Sequence, residues 1–252
     1  MRRALLGAYT YAEFGLVLAG LLPFIAASKV LHKGDPTPRA PGRWLRRVGR
    51  ISSQLTPLWK FSIEGQAPAD IDHKAYVVVA NHESTADPFL LSRLPWDMRW
   101  IAKQELFKVP VTGWYMHLSG DIPIKRGSSE SVKEMMQTAR DTLLRGLSVM
   151  IFPEGTRSPD GNLLPFKDGA FQLAIETGTP ILPIALAGTR DCRPKGSRWF
   201  GNATAVARVL TPVPTAGLTL SDLPHLRDSI REEIGNNVRE LRAARPSFVP
   251  PR

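Results

Sequence analysis

A histidine and an aspartate five positions apart form the first pair of side chains in this sequence that could do acid–base chemistry. His82 and Asp87 follow directly after the apolar run Tyr76–Ala80, with a turn between them. A histidine acts as a general base when a carboxylate binds its second ring nitrogen, because that contact fixes the tautomer and stabilises the imidazolium. The spacing also permits a structural role, in which Asp87 caps a helix whose first position is Pro88.

Three further segments could supply binding groups. The run Ser148–Phe152 opens into a turn that carries an acid, a glycine, a hydroxyl and a guanidinium: Glu154, Gly155, Thr156 and Arg157. An arginine fork suits a phosphate, and a glycine lets a ligand approach the backbone closely. The segment Gly120–Arg126 ends in two cations, which a plain strand with solvated side chains would also explain, and Thr179–Gly188 on its own indicates only a strand.

The elements that must position these groups alternate between strand and helix patterns. The apolar runs predict strands, listed here in chain order: Tyr76–Ala80, Ser148–Phe152, Ile181–Ala187 and Ala203–Leu210. Helical patterns follow Ser128, span Phe166–Thr177 and begin again near Ser221. This alternation predicts an α/β fold with a largely parallel or mixed sheet flanked by helices. Reactive groups in such folds gather past the carboxyl ends of the strands.

The first part of the chain is apolar and then basic. Residues Ala4–Ser28 contain one charge, Glu13, and are long enough to span a membrane. A cleaved signal peptide, a single span and a helical hairpin broken at Gly20 and Pro23 are the alternatives, and we expect a retained membrane segment. The predicted organisation is a membrane-anchoring segment 1–35, a linker and basic amphipathic helix 36–62, an α/β domain 63–244 and a loose tail 245–252.

The amphipathic helix carries its apolar residues through Trp59 and its cations in the first turns: Arg43, Arg46, Arg47 and Arg50. Arginines and tryptophans of this kind suit a lipid headgroup interface, although an ordinary surface helix would show the same pattern. The basic excess after the apolar segment would keep the main domain cytoplasmic.

Composition narrows the functional classes. Lys and Arg outnumber Asp and Glu by 33 to 23, so the formal charge of +10 predicts an anionic partner: nucleic acid, a phosphate-bearing substrate or an acidic lipid surface. The single cysteine excludes an intramolecular disulfide framework, and the five histidines form no metal-ligand spacing, so no metal is expected. No nucleic-acid module is visible, which leaves a non-enzymatic basic membrane- or nucleic-acid-binding protein as a distant alternative.

Taken together and in this order, four segments resemble the motif blocks of the glycerolipid acyltransferase family. They are Asn81–Asp87, Gly120–Arg126, Phe152–Ser158 and Pro180–Gly188. The bacterial branch that acts on 1-acyl-glycerol 3-phosphate is the most similar. Two positions depart from its pattern, since Glu83 stands where glutamine is common and Pro123 where phenylalanine is common.

The resemblance implies transfer of an acyl chain from acyl-CoA or acyl-carrier protein to the sn-2 hydroxyl of a lysophosphatidic acid, without a cofactor. It implies that His82 is the general base, oriented by Asp87. It also implies a substrate-binding set in which Arg126 and Arg157 hold the phosphate, Lys103 adds a cation, and Glu154 and Gly155 shape the glycerol end, with Thr156 as a further member. The implied partners are a lysophospholipid acceptor and an anionic membrane surface, with no nucleic acid.

Two alternatives within this chemistry stay open. The acceptor could be another lysolipid such as lyso-ornithine lipid, which would depend less on Arg126 and Arg157. Water could replace the acceptor, and the enzyme would then be a hydrolase that uses the same His82. The implied location is the inner (cytoplasmic) membrane, with the catalytic domain facing the cytoplasm.

Overall fold

The computed structural model describes residues 2–35, 39–193 and 199–244. The helices are α1 (Arg2–Leu31), α2 (Arg39–Leu55), α3 (Asp87–Leu91), α4 (Gln104–Phe107), α5 (Thr112–Ser119), α6 (Ser129–Leu144), α7 (Gly169–Thr177), α8 (Thr189–Cys192) and α9 (Leu223–Ala243). The strands are β1 (Trp59–Glu64), β2 (Val77–Ala80), β3 (Met98–Lys103), β4 (Ile122–Ile124), β5 (Ser148–Ile151), β6 (Ile181–Ala187) and β7 (Ala203–Val209). The expected loose tail 245–252 and residues 36–38 of the expected linker lie outside the described residues.

The strands form one mixed sheet in the order β1-β7-β6-β2-β5-β3-β4. Every neighbouring pair is parallel except β6 with β7. The α/β prediction is therefore confirmed. Because β2, β5, β3 and β4 are adjacent and parallel, their carboxyl ends lie along one edge of the sheet, where the predicted functional segments begin.

The sheet is buried on both faces, as the continuous apolar runs of its central strands require. Alternate residues of β2 show the division, since Val78 packs in one apolar cluster and Val77 in the other. The cluster on one face includes α3 and a group of tryptophans, while the other face is covered by α6, α7 and α9. The α6 helix begins after the predicted cap, where the Ser128 hydroxyl accepts from the Ser131 amide.

The N-terminal helix α1 is continuous through Gly20 and Pro23, so the hairpin broken at those residues is not formed. By length and composition alone α1 could cross a membrane. It also packs on the rest of the protein, because the Thr10 hydroxyl lies 3.0 Å from the Thr56 hydroxyl and the Tyr115 hydroxyl donates to the Leu18 carbonyl at 2.8 Å. The opposite face of α1 leaves large apolar side chains exposed.

Two predicted helix boundaries were wrong. The amphipathic helix α2 ends at Leu55, and Trp59 opens β1, so the sheet begins inside the segment 36–62 that the sequence assigned to the linker and basic helix. Pairing of β1 with β7 places Trp59 beside Ala203, a residue far along the chain that local periodicity does not reveal. The helix expected from Phe166 begins at Gly169, after a segment that contributes to the site described below.

One of the arginines assigned to a lipid interface is buried instead. The Arg46 guanidinium donates to Asp121 Oδ1 at 2.7 Å and lies 4.6 Å from the centre of the Trp100 ring. Arg43, Arg47 and Arg50 are exposed. The basic face of α2 is therefore narrower than its sequence predicted, since Arg46 faces Asp121 and Trp100 rather than solvent.

Candidate active site

The loop that carries His82 is held by strands on both sides of β2. The Asn81 amide donates to the Leu186 carbonyl at 2.9 Å and accepts from the Leu186 amide at 2.8 Å, which fixes the loop to β6. On the β5 side, the His82 carbonyl accepts from the Ser158 amide at 2.9 Å. These contacts, made by the Asn81 side chain and by the His82 backbone, hold His82 just past the carboxyl end of β2.

His82 and Asp87 form a direct contact. The Nδ1 atom of His82 lies 2.7 Å from Asp87 Oδ2, which also accepts from the amides of Glu83 and Ser84. The other oxygen, Oδ1, accepts from the Thr189 hydroxyl. Because Asp87 accepts, the proton belongs on Nδ1, and Nε2 is left as the basic nitrogen. Nε2 makes no hydrogen bond with the part of the chain that the structure describes.

The capping role considered for Asp87 is not what the structure shows. Helix α3 starts at Asp87 itself, Ala86 occupies the N-cap position, and no side chain caps the helix. Pro88 does lie in the first turn, as expected. The fully buried Asp87 carboxylate turns back toward the loop and organises it around His82.

Glu154 braces the same loop. Its Oε1 accepts from the His82 amide at 2.7 Å and its Oε2 accepts from the Leu164 amide at 3.0 Å, so both oxygens are bound to backbone. Burial raises the pKa of this carboxyl, and the two amide hydrogen bonds act in the opposite direction. The glycerol-binding role expected for Glu154 therefore does not fit its contacts, which join the turn after β5 to the histidine loop.

Gly155 lets the segment that carries Lys167 pass close to the turn after β5, a contact that the sequence did not reveal. Its φ is +66°, and a Cβ added there would lie 3.0 Å from the Lys167 ammonium. The Lys167 amide donates to the Pro153 carbonyl at 2.9 Å, which holds this lysine against the turn. Lys167 was missed because it lies in the segment interpreted as the first turn of a helix, and an exposed lysine there carries no local signal.

The cations expected to bind phosphate lie at or just past the carboxyl ends of three different strands, at different distances from His82. Arg157 follows β5, the neighbour of β2, whereas Lys103 ends β3 and Arg126 follows β4. Neighbouring strands are about 4.8 Å apart, so the strand that leads to Arg126 is about 14 Å from that of His82. Thr156 and all three cations are exposed. Arg157 is therefore the nearest of them to His82 in the order of the strands.

An apolar cavity of about 180 Å³ adjoins the histidine loop at Thr85 and Ala86. Its other walls are mainly aromatic and come from α1, β1, α3 and the segment before β7: Tyr11, Phe14, Trp59, Phe89 and Phe200. On the other side of the loop, His82 stacks on Phe152 with ring centres 4.1 Å apart. The loop that carries His82 thus adjoins an apolar cavity, and the cations follow the strands on the β5 side of the loop.

Comparisons with known proteins agree with this arrangement. The model of the family described as Acyltransferase matches residues 60–187. A chloroplastic 1-acyl-sn-glycerol-3-phosphate acyltransferase of Brassica napus is 37% identical over 187 residues, which cover 74% of this chain and 53% of that protein. The human 1-acyl-sn-glycerol-3-phosphate acyltransferase alpha is 39% identical over 168 residues, which cover 66% of this chain and 59% of that protein. The chain therefore spans between half and three fifths of the length of these two relatives.

Among solved structures, the crystal structure of the 1-acyl-sn-glycerophosphate acyltransferase PlsC from Thermotoga maritima is similar over the whole chain. The TM-score is 0.80 at 28% identity, and the match covers 98% of both chains. The similarity thus extends beyond the family match 60–187 to both the N-terminal helices and α9.

Proposed function

Because the chain belongs to the acyltransferase family, we propose that it transfers an acyl chain from a thioester to the sn-2 hydroxyl of 1-acyl-sn-glycerol 3-phosphate, forming phosphatidic acid. The observation that carries this proposal is the His82–Asp87 contact of 2.7 Å, with Nε2 turned away from the buried carboxylate. Relatives with this acceptor in their names support the choice of substrate. The donor is acyl-CoA or acyl-carrier protein, both of which present the acyl group as a thioester.

The reaction follows from these groups without a covalent acyl-enzyme. His82 Nε2 takes the proton of the acceptor hydroxyl as its oxygen attacks the thioester carbonyl, and Asp87 stabilises the imidazolium. When the tetrahedral intermediate collapses, the carbon–sulfur bond breaks and the proton passes to the thiolate. Arg157, with Lys103 and Arg126 farther along the edge, binds the acceptor phosphate, and Gly155 and Thr156 lie beside it.

The identity of the acceptor is tested by comparing two lysolipids whose headgroups differ in charge. Purified protein is given an acyl-CoA with lysophosphatidic acid or with lyso-ornithine lipid, and thiol release and lipid products are measured. We expect acceptor-dependent release that yields phosphatidic acid. We expect Arg157→Gln to raise KM for lysophosphatidic acid about 10–100-fold, since charge-assisted hydrogen bonds are lost. Arg145→Gln, an exposed arginine next to the end of α6, is the matched control.

The outcomes separate the hypotheses. Faster transfer to lyso-ornithine lipid that is insensitive to Arg157→Gln would replace the proposed acceptor. Release of fatty acid without any acceptor would indicate a hydrolase, and an absence of thiol release with both acceptors and with both types of thioester would contradict the proposal.

The proposed location is the inner (cytoplasmic) membrane, with the catalytic domain facing the cytoplasm. The exposed face of α1 is apolar, and Leu106, Val109 and Trp114 around α4 and α5 are exposed as well. Because α5 contacts α1 through Tyr115, these side chains can extend the same apolar surface. The exposed arginines of α2 suit anionic headgroups, and a lysophospholipid acceptor would enter from the same leaflet.

Charges placed on the apolar face of α1 should weaken membrane binding. Leu5 and Leu16 are 67% and 74% exposed and are separated by about three turns of one helix face. We expect Leu5→Lys/Leu16→Lys to lower the fraction that floats with anionic vesicles, because each lysine must be kept out of the hydrocarbon. The control with equal added charge is Leu144→Lys/Leu220→Lys, at two other exposed leucines. Equal flotation of the two double variants would refute this placement of α1.

A further inference from the structure

Glu83, the residue after His82, is a buried carboxylate held by distant parts of the chain. Its Oε2 accepts from the Gly188 amide at 2.9 Å, at the end of β6. Its Oε1 accepts from the guanidinium of Arg242 at 2.6 Å, in the last turn of α9. The same nitrogen of Arg242 donates to the Gly161 carbonyl at 2.5 Å. Arg242 therefore connects α9 to the histidine loop and to the segment after β5.

Glu83 lies close to the carboxylate that orients His82. The Thr189 hydroxyl donates to Asp87 Oδ1 and is 3.4 Å from Glu83 Oε2, so one hydroxyl separates the two acids. Burial and the charge of Asp87 raise the pKa of Glu83, and Arg242 opposes that change. Without Arg242, whose side chain is partly exposed, the two neighbouring anions would lose the cation that bonds directly to one of them.

Resting on the proposed role of His82, we propose that Arg242 is a positioning residue for acyl transfer. It anchors the histidine loop through Glu83, and it compensates the charge of Glu83, which leaves Asp87 as the carboxylate in contact with the His82 ring. The Glu83–Arg242 contact joins the loop after β2 to α9, and Arg231 of α9 separately donates to the carbonyls of Leu163 and Leu164 in the segment after β5.

Several other charged groups lie near His82 and Glu83. His82 faces Asp87 and also Glu154, whose carboxylate is bound to its backbone. Glu83 lines a shallow depression whose remaining charged walls come from the turn after β5 and from the α8 region: Arg157, Arg190 and Arg193. Arg190 donates to the carbonyls of Pro159 and Asp160. Arg157 and Arg190 are exposed and screened by water, so a change at Arg242, which bonds directly to Glu83, should affect His82 more strongly.

The test is a double-mutant cycle in which the titration of the His82 ring is measured directly. NMR titration of the histidine rings gives the pKa of His82, whose signal is the one absent from His82→Asn. In Glu83→Gln the cation of Arg242 is uncompensated, so we expect the pKa of His82 and the acidic limb of kcat/KM to fall by about half a pH unit or more. In Glu83→Gln/Arg242→Gln both should return to the wild-type values.

A matched arginine on the same helix controls the cycle. Arg239 is exposed and donates to Asn236 on the same helix, so Glu83→Gln/Arg239→Gln should keep the shifted pKa. Arg242→Gln alone should lower kcat about tenfold with little change in acceptor KM, and Arg242→Lys should recover most of it. An unshifted pKa in Glu83→Gln, or a shift that persists after Arg242→Gln, would overturn the proposal.

Failure of the proposed function gives a different result. If the wild-type protein transfers no acyl group, the ring titration still reports whether Arg242 acts on His82. If transfer occurs but the titration is the same in all variants, the acyltransferase proposal stands and the positioning role of Arg242 is wrong.

Discussion

His82→Ala is expected to lower kcat for acyl transfer by about 10²–10⁴-fold, the usual contribution of a general base. The reason is geometric, because Nε2 is the basic atom of a ring whose other nitrogen is 2.7 Å from Asp87. Binding of either substrate does not require the imidazole, so KM should change little. The measurement is thiol release in single-turnover and steady-state experiments with detergent-solubilised protein, together with identification of the lipid product.

Two companion variants show whether the loss belongs to the proposed base. Asp87→Asn keeps the size of the side chain but can donate to Nδ1, which favours the wrong tautomer, so we expect a loss of similar size. His73→Ala removes an exposed histidine from the loop before β2 and should leave transfer unchanged. Full activity in His82→Ala with a normal thermal unfolding transition would exclude the assigned base.

The parts of the site that could be predicted from sequence are those formed by residues close together in the chain. His82 and Asp87 are close in sequence and meet across one turn, so their spacing was enough to propose the pair. The strands β2, β5 and β6 were predicted because they are buried on both faces and appear as uninterrupted apolar runs. The acyltransferase family was predicted from four motif segments and their order along the chain.

The parts that could not be predicted depend on partners far along the chain. Strand β3 contains Arg99, whose charge interrupts the apolar pattern and is paired with Asp97 inside the protein. The family resemblance implied that Glu154 contacts substrate, but the amides of His82 and Leu164 donate to both of its carboxylate oxygens. Arg242 was not considered at all, since its contact with Glu83 joins residues separated by 159 positions.

Arg46 was wrongly assigned to the lipid interface for the same reason, because its partner Asp121 is far along the chain. Their contact also predicts a large effect on stability. Asp121 is buried directly before β4, and its Oδ1 accepts from Arg46 and from the Trp100 amide. Burial raises the pKa of Asp121 and lowers that of Arg46, while each charge favours the ionised form of the other. Asp121→Asn keeps an acceptor for Trp100 but leaves the Arg46 charge unpaired. We expect it to lower the free energy of unfolding by about 3–5 kcal/mol.

Removing both charges should cost less than removing one. In Arg46→Met/Asp121→Asn the apolar methionine can pack on the Trp100 ring, 4.6 Å from the present guanidinium, and both charges of this pair are gone, while the neighbouring Arg99–Asp97 pair stays intact. The double variant should therefore recover much of the stability lost in Asp121→Asn, as measured by urea unfolding in detergent. Arg50→Met, at an exposed position of α2, should change stability by less than about 0.5 kcal/mol. If the double variant were less stable than Asp121→Asn, the Arg46 charge would not be the cause of the loss, and contacts of its side chain other than the ion pair would hold α2 against β3 and β4.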